Sequence, residues 1–390
     1  MAQRKFILPI IVLSQFCCTS LWFVGNAFIN DLANSFNLQP SALGNLTSAV
    51  QFGFILGTFL FAVFTVSDRY SPSKVFLVSA LIASVFNILI VFGNHTLISL
   101  VILRFFTGFF LAGIYPVGMK IASDYYQKGL GKSLGFLVGA LVLGTAFPHL
   151  LKGFKDFLLW KNMIYITSIL ATFGGLIMFL LVPDGPYKKR MQKFDVSVFY
   201  NVFKIRKFRS AAYGYFGHMW ELYTFWAFVP ILLKGYAEYH GNALINIPLL
   251  SFLIIAIGSL GCVASGYLSQ QYAVKNVAFS ALTLSCICCL LSPVFFMLNS
   301  EITFIIFLMF WGVVVIADSP LFSTLVAQNV AAESKGTALT IVNSIGFAIT
   351  IVSIQLFSYL VNKVDVQYLF LMLAIGPILG LYSCFKIKDR

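Results

Sequence analysis

Twelve apolar stretches, each long enough to cross a hydrocarbon core about 30 Å thick, divide this chain of 390 residues. Nothing in a bilayer core bonds to a free backbone N–H or C=O, so stretches of this kind fold as helices wherever they meet lipid. They lie at 6–29, 42–66, 75–92, 97–121, 133–151, 163–182, 211–233, 245–268, 276–298, 302–322, 337–361 and 367–385. The expected fold class is an all-α membrane protein with twelve transmembrane helices. Composition agrees: 10% of the residues are charged, against roughly 25% in an ordinary soluble domain, and the mean hydropathy is +0.91. Arg4 and Lys5 ahead of the first stretch imitate a signal peptide, but the apolar run is too long and no small-residue cleavage site precedes Asn30-Asp31, so a retained helix is expected.

A formal net charge of +13 invites a nucleic-acid partner, yet the placement of the basic residues argues for membrane sidedness instead. With the N-terminus cytoplasmic, only Lys152, Lys155, Lys161, Lys234 and Lys363 fall on the far side, and Arg104 falls inside a helix. All the other Lys and Arg residues stay inside, so both termini are expected in the cytoplasm. The seven cysteines, Cys17, Cys18, Cys262, Cys286, Cys288, Cys289 and Cys384, sit within the apolar stretches without zinc-site spacing and read as small packing residues. No metal site is expected.

One long polar segment, 184–210, interrupts the pattern with Lys188, Lys189, Arg190, Lys193, Lys204, Arg206, Lys207 and Arg209 among aromatic residues. It reads as a basic cytoplasmic linker along the membrane surface. It separates a six-helix bundle over 1–183 from a second over 211–390. The halves repeat: Phe16 to Phe28 aligns with Phe216 to Phe228 at an offset of 200, and Tyr115-Pro116 answers Ser319-Pro320.

These residues resemble the twelve-helix major facilitator superfamily over essentially the whole chain. After the second helix, Asp68-Arg69 and Lys74 match the family's cytoplasmic gating-loop signature, although Phe64 and Ser71 stand where it has glycines. In the fourth helix Arg104, Gly108 and Gly113 resemble the family's intramembrane arginine followed by glycines. In the fifth, Gly135, Gly139 and Gly144 resemble its antiporter signature, with Ala140 and Leu143 in place of the distinguishing Pro and Gly. The resemblance implies a transporter whose first, fourth, seventh and tenth helices line a central cavity.

Ionisable groups at lipid depth each cost about 2.5–3.5 kcal/mol unless paired or hydrated. Arg104, His218, Glu221 and Asp318 are the candidates, on the fourth, seventh and tenth helices. Glu221 is the expected proton carrier, with His218 one turn away on the same face and Asp318, nearer the inner face, as the second candidate carboxyl. A buried ion pair, involving Arg104 as well, is the structural alternative. Arg104 is expected to attract an anionic or carboxylate-bearing solute, and Gln15, Trp22, Asn26, Tyr115, Trp220, Tyr223 and Trp226 to line the binding site.

The expected function is secondary transport of a small organic solute by alternating access, as a proton-coupled symport without a cofactor. Proton-antiport efflux of drugs or metabolites uses the same carboxyls and stays open. A membrane-embedded sensor or enzyme is the reading from another class, but no appended soluble domain is expected, and no HExxH accompanies His218 and Glu221. No Walker A sequence points to ATP. The expected partners are the solute, protons and lipid, with no nucleic acid; the expected state is a monomer in a bacterial inner membrane.

Overall fold

A computed structural model describes residues 4–39, 41–126, 130–154, 159–187, 197–241, 246–331 and 334–386. The chain divides into two compact units, Met1–Phe194 and Asp195–Arg390. Residues 188–196 of the expected linker lie outside the described residues. Its far end holds a short helix, Ser197–Val202.

All regular structure among the described residues is helical. The first unit comprises α1 (Arg4–Thr19), α2 (Ala42–Val63), α3 (Pro72–Val91), α4 (Leu97–Tyr125), α5 (Gly131–Gly153) and α6 (Trp160–Leu181). The second comprises α7 (Arg206–His240), α8 (Ile247–Gln271), α9 (Val274–Met297), α10 (Glu301–Gln328), α11 (Lys335–Leu360) and α12 (Val366–Ser383). Ten of these, all except α1 and α7, are long and apolar enough throughout to cross a membrane. α7 is 35 residues long and diluted by polar side chains; α1 is short because its helix stops early.

That early stop departs from the expected continuous helix over 6–29. After Thr19 the chain turns, forms one short helix at Val24–Ala27 and a second at Ile29–Phe36. The residues at the break explain it. The Thr19 hydroxyl donates to the Gln15 carbonyl at 2.8 Å and the Ser20 hydroxyl to Cys17 at 2.7 Å. Such side-chain bonds compete with the helical ladder and bend it.

α4 and α10 are also broken, and in the same way. α4 stops at Leu111 and restarts at Tyr115-Pro116; α10 stops at Ala317 and restarts at Ser319-Pro320. Proline is tolerated there because the first turn of a helix has no partner for its N–H.

The glycines repeat with the breaks. A Cβ on Gly108 of α4 would lie 2.1 Å from the Val50 carbonyl oxygen of α2, and one on Gly312 of α10 would lie 2.0 Å from that of Ile254 of α8. Gly57 presses on Phe109, and Gly261 on Val313, in the reciprocal direction. Gly108 and Gly312, Gly57 and Gly261, and Pro116 and Pro320 are each 204 positions apart. In lipid, where burying apolar area does little to join helices, close backbone approach through small residues is what holds them. Ile98 and Ile302, likewise 204 apart, are 71% and 73% exposed, as expected of side chains bathed in acyl chains.

Candidate functional site

Each unit holds one polar centre in an apolar interior. In the first, Arg104 projects from α4 and is 1% exposed. Its Nη2 donates to the carbonyls of Leu21 at 2.9 Å and Trp22 at 2.6 Å, and its Nη1 to Asn87 Oδ1 of α3 at 3.2 Å. Asn87 in turn donates to Thr167 and Ser168 of α6, at 3.3 and 2.9 Å. The break in α1 is what frees the two carbonyls, since inside a continuous helix they would accept from the backbone four residues on. Arg104 therefore pins an unwound segment, and all its described partners are neutral. Among the described residues Arg104 bonds to no carboxylate, and its Nη groups are engaged by protein while its buried Nε has no protein partner.

In the second unit, Glu221 of α7 is 1% exposed and three donors converge on its Oε1. They are the Ser285 hydroxyl at 2.5 Å and the Cys289 thiol at 3.2 Å from α9, and the Trp311 indole at 2.7 Å from α10. Trp311 is fixed by Phe225 at 4.5 Å and Phe307 at 5.8 Å between ring centroids. One turn from Glu221, His218 Nδ1 lies 2.7 Å from Asp318 Oδ1, and both side chains are buried. Asp318 occupies the break in α10. His218 Nε2 has no protein partner among the described residues. His218, Glu221 and Asp318 are thus brought together in the second unit, while Arg104 belongs to the polar centre of the first.

The expected lining residues scatter. Gln15 is fully buried with neither end of its amide bonded to protein among the described residues. Asn26 is buried in the short helix after the break. Trp22 packs at a tilt against Phe54 of α2, with ring centroids 4.9 Å apart, and Tyr115 is half-buried at the restart of α4. Tyr223 packs on Trp226 and on Phe347 of α11, at 5.4 and 5.3 Å. Trp220 faces the other way: its indole donates to the Met372 carbonyl of α12 at 3.1 Å, and its side chain sits against Gly376. It ties two helices together, away from the His218 and Glu221 contacts.

The loop after α2 forms a single turn, Val66–Arg69, in which Asp68 pairs with Lys120 of α4 while Arg69 is exposed. The missing glycines are not needed for backbone conformation. Phe64 and Ser71 have φ of −82° and −63°, and the left-handed residue is Thr65, at 48°.

Ser285, Cys289, Trp311 and Asn87 were absent from the expected site. Trp311 and Asn87 carried a usable signal, being polar groups within apolar helices that need a partner when buried. Cys289 corrects the reading of the cysteines as packing residues alone.

The profile described as Major Facilitator Superfamily matches residues 11–354. Three solved structures share the fold at low identity. The nucleoside transporter NupG, in mutant form, is 14% identical with a TM-score of 0.74, covering 99% of this chain and 100% of its own. The proton:xylose symporter XylE bound to 6-bromo-6-deoxy-D-glucose is 13% identical with a TM-score of 0.76, covering 99% and 96%. A bacterial homologue of the human lysosomal transporter Spinster, inward-facing and unoccupied, is 13% identical with a TM-score of 0.68, covering 98% and 95%. No protein of curated function matches the chain in sequence. With its profile match over most of its length, its multiple membrane-spanning helices and this fold, the chain belongs to the major facilitator superfamily of membrane transporters.

Proposed function

We propose that the protein is a proton-coupled secondary transporter of a small organic solute, and that the His218, Asp318 and Glu221 set carries the proton. The observation that supports this is a charge balance. The set holds two carboxyls and one imidazole, all buried, while the described lysines and arginines of the second unit, Lys204, Arg206, Lys207, Arg209, Lys234, Lys275, Lys335, Lys363 and Lys386, lie near helix ends or in the turns between helices. With no permanent cation bonded to it among the described residues of the second unit, the fully deprotonated set would bury two negative charges, at a cost of several kcal/mol each. Neutrality is reached with two protons shared among the three groups. A solute that favours one conformation of an alternating-access cycle, and a proton that favours the same one, are then coupled by mass action.

The anion preference expected from Arg104 is not carried forward, because Leu21, Trp22 and Asn87 engage its Nη atoms. In the first unit the unbonded buried amide of Gln15, and in the second the aromatic pair Tyr223 and Trp226, are each groups that suit a polar organic solute. Since relatives of the same fold are named for nucleosides and xylose, nucleosides and pentoses come first among candidates, with small carboxylates as the contrast.

Reconstituted vesicles with an imposed pH gradient provide the test. Parent protein accumulates the solute on the gradient; Glu221→Gln and Asp318→Asn lose accumulation but retain solute exchange at equal pH. Equal gradient dependence in parent and variants would sink the proposal, and accumulation on the reversed gradient would assign antiport.

A further inference from the structure

The turn that leads into α7 carries four basic residues in six positions, Lys204, Arg206, Lys207 and Arg209, with no acidic residue before Glu221. Elsewhere several lysines have carboxylates: Lys120 pairs with Asp68, Lys152 with Asp31 at 2.8 Å, and Lys234 with Glu238 at 3.6 Å. Here the partners among the described residues are neutral. Lys204 Nζ reaches Asn201 Oδ1 at 3.5 Å, and Arg209 Nη1 donates to the Phe203 carbonyl at 3.1 Å. Lys204, Arg206 and Lys207 are exposed.

The cluster is ordered as well as charged. Val202 is buried, Phe203 and Phe208 meet edge to face at 5.2 Å, and backbone bonds run from Lys204 to Asn201, Ile205 to Val202 and Arg209 to Ile205. Like charges on one turn repel. Placing them at the start of a helix adds to the cost, since the macrodipole already puts positive potential there. No side chain caps this end and no acidic residue lies in the first turn. The local fold holds a cationic turn that it does not neutralise itself.

Position and apolar neighbours identify what does. At 1.5 Å per residue α7 is about 52 Å long, against a hydrocarbon core of about 30 Å, so its ends reach the head-group region. Beside the basic residues, Tyr200 is 71% exposed and Ile205 is 42% exposed. Exposed aromatic and aliphatic groups next to Lys and Arg at that depth are what an interfacial element presents to lipid.

We infer that the turn formed by Ser197–Val202 and the first residues of α7 is a binding site for the phosphate groups of anionic phospholipids, with Lys204, Arg206 and Lys207 meeting the head groups and Tyr200 and Ile205 entering the acyl boundary. Each basic residue near an anionic leaflet strengthens attachment roughly fivefold, so removing two weakens it about twenty-five-fold.

Purified protein in a neutral detergent is titrated with phosphatidylglycerol, phosphatidylcholine or inorganic phosphate, reading the melting temperature and, by native mass spectrometry, the number of lipids retained. Parent protein is expected to gain thermal stability and retain phosphatidylglycerol over phosphatidylcholine, with Arg206→Gln/Lys207→Gln shifting the titration by about twenty-five-fold. The control Lys74→Gln/Lys335→Gln removes the same charge elsewhere and should leave the titration in place. An equal response in parent and Arg206→Gln/Lys207→Gln overturns the site. So does an equal shift in both double variants, which would mark a net-charge effect, or saturation by inorganic phosphate alone, which would mark a soluble anion as the ligand.

Discussion

The polar centres of the two units use one plan with different acceptors. At the offset of 200 that relates α1 to α7, Leu21 corresponds to Glu221. In the first unit the acceptor is the Leu21 carbonyl, released by a broken helix; in the second it is the Glu221 carboxyl on an unbroken one. Both accept from the fourth helix of their unit, Arg104 on α4 and Trp311 on α10. Both centres recruit the third, through Asn87 on α3 or Ser285 and Cys289 on α9. A buried donor can thus be met by unwinding backbone or by supplying a side chain. Only the second solution uses an ionisable acceptor, which is why the proposal assigns the proton to the second unit.

The largest expected effects fall on what the units share. Gly108→Val and Gly312→Val each drive a side chain into a carbonyl about 2 Å away, and each should cost more than about 4 kcal/mol, leaving little monodisperse protein on size-exclusion chromatography. If only one unit fails, the shared packing is not equally important to both.

Arg104→Leu strands two carbonyls and Asn87, and should cost about 3 kcal/mol in denaturant unfolding. Because no group it leaves behind titrates, the loss should be the same at acidic and neutral pH. Glu221→Gln should differ in kind: Gln imitates the protonated carboxyl, so variant and parent converge in stability as pH falls and diverge as it rises. A pH-dependent loss in Arg104→Leu would break the contrast between the centres.

Trp311→Phe keeps an aromatic ring against Phe225 but removes the indole donor to Glu221, and should cost about 2 kcal/mol where the carboxyl is ionised, shrinking where it is protonated. Cys289→Ala removes the weakest of the three donors and should stay near 0.5 kcal/mol in the same unfolding measurement.

Much of this architecture was legible in advance because lipid allows so few solutions. Long apolar runs located the helices, and rare buried charges flagged His218, Glu221 and Asp318. The breaks were less visible. Nothing in the hydropathy of 6–29 marks Thr19 and Ser20 as helix-bending; their effect depends on hydroxyl geometry, and it moved Arg104 from expected solute anchor to backbone pin. Trp220 was misplaced for a similar reason. An aromatic residue one position from Glu221 points about 100° away around a helix, toward α12 rather than α9 and α10. The fixing of Glu221 by Ser285, Cys289 and Trp311 required knowing which helix faces which, and that is set by the glycine contacts.

The central claim is that the second unit keeps an exchangeable proton among His218, Asp318 and Glu221, and pH-difference infrared spectroscopy of the detergent-solubilised protein addresses it without knowledge of the solute. The account predicts a protonated-carboxyl C=O band near neutral pH that changes with pH, is reduced in Glu221→Gln or Asp318→Asn, and vanishes in the double variant. An unchanged band in the double variant, or no protonated-carboxyl band in the parent, would contradict it.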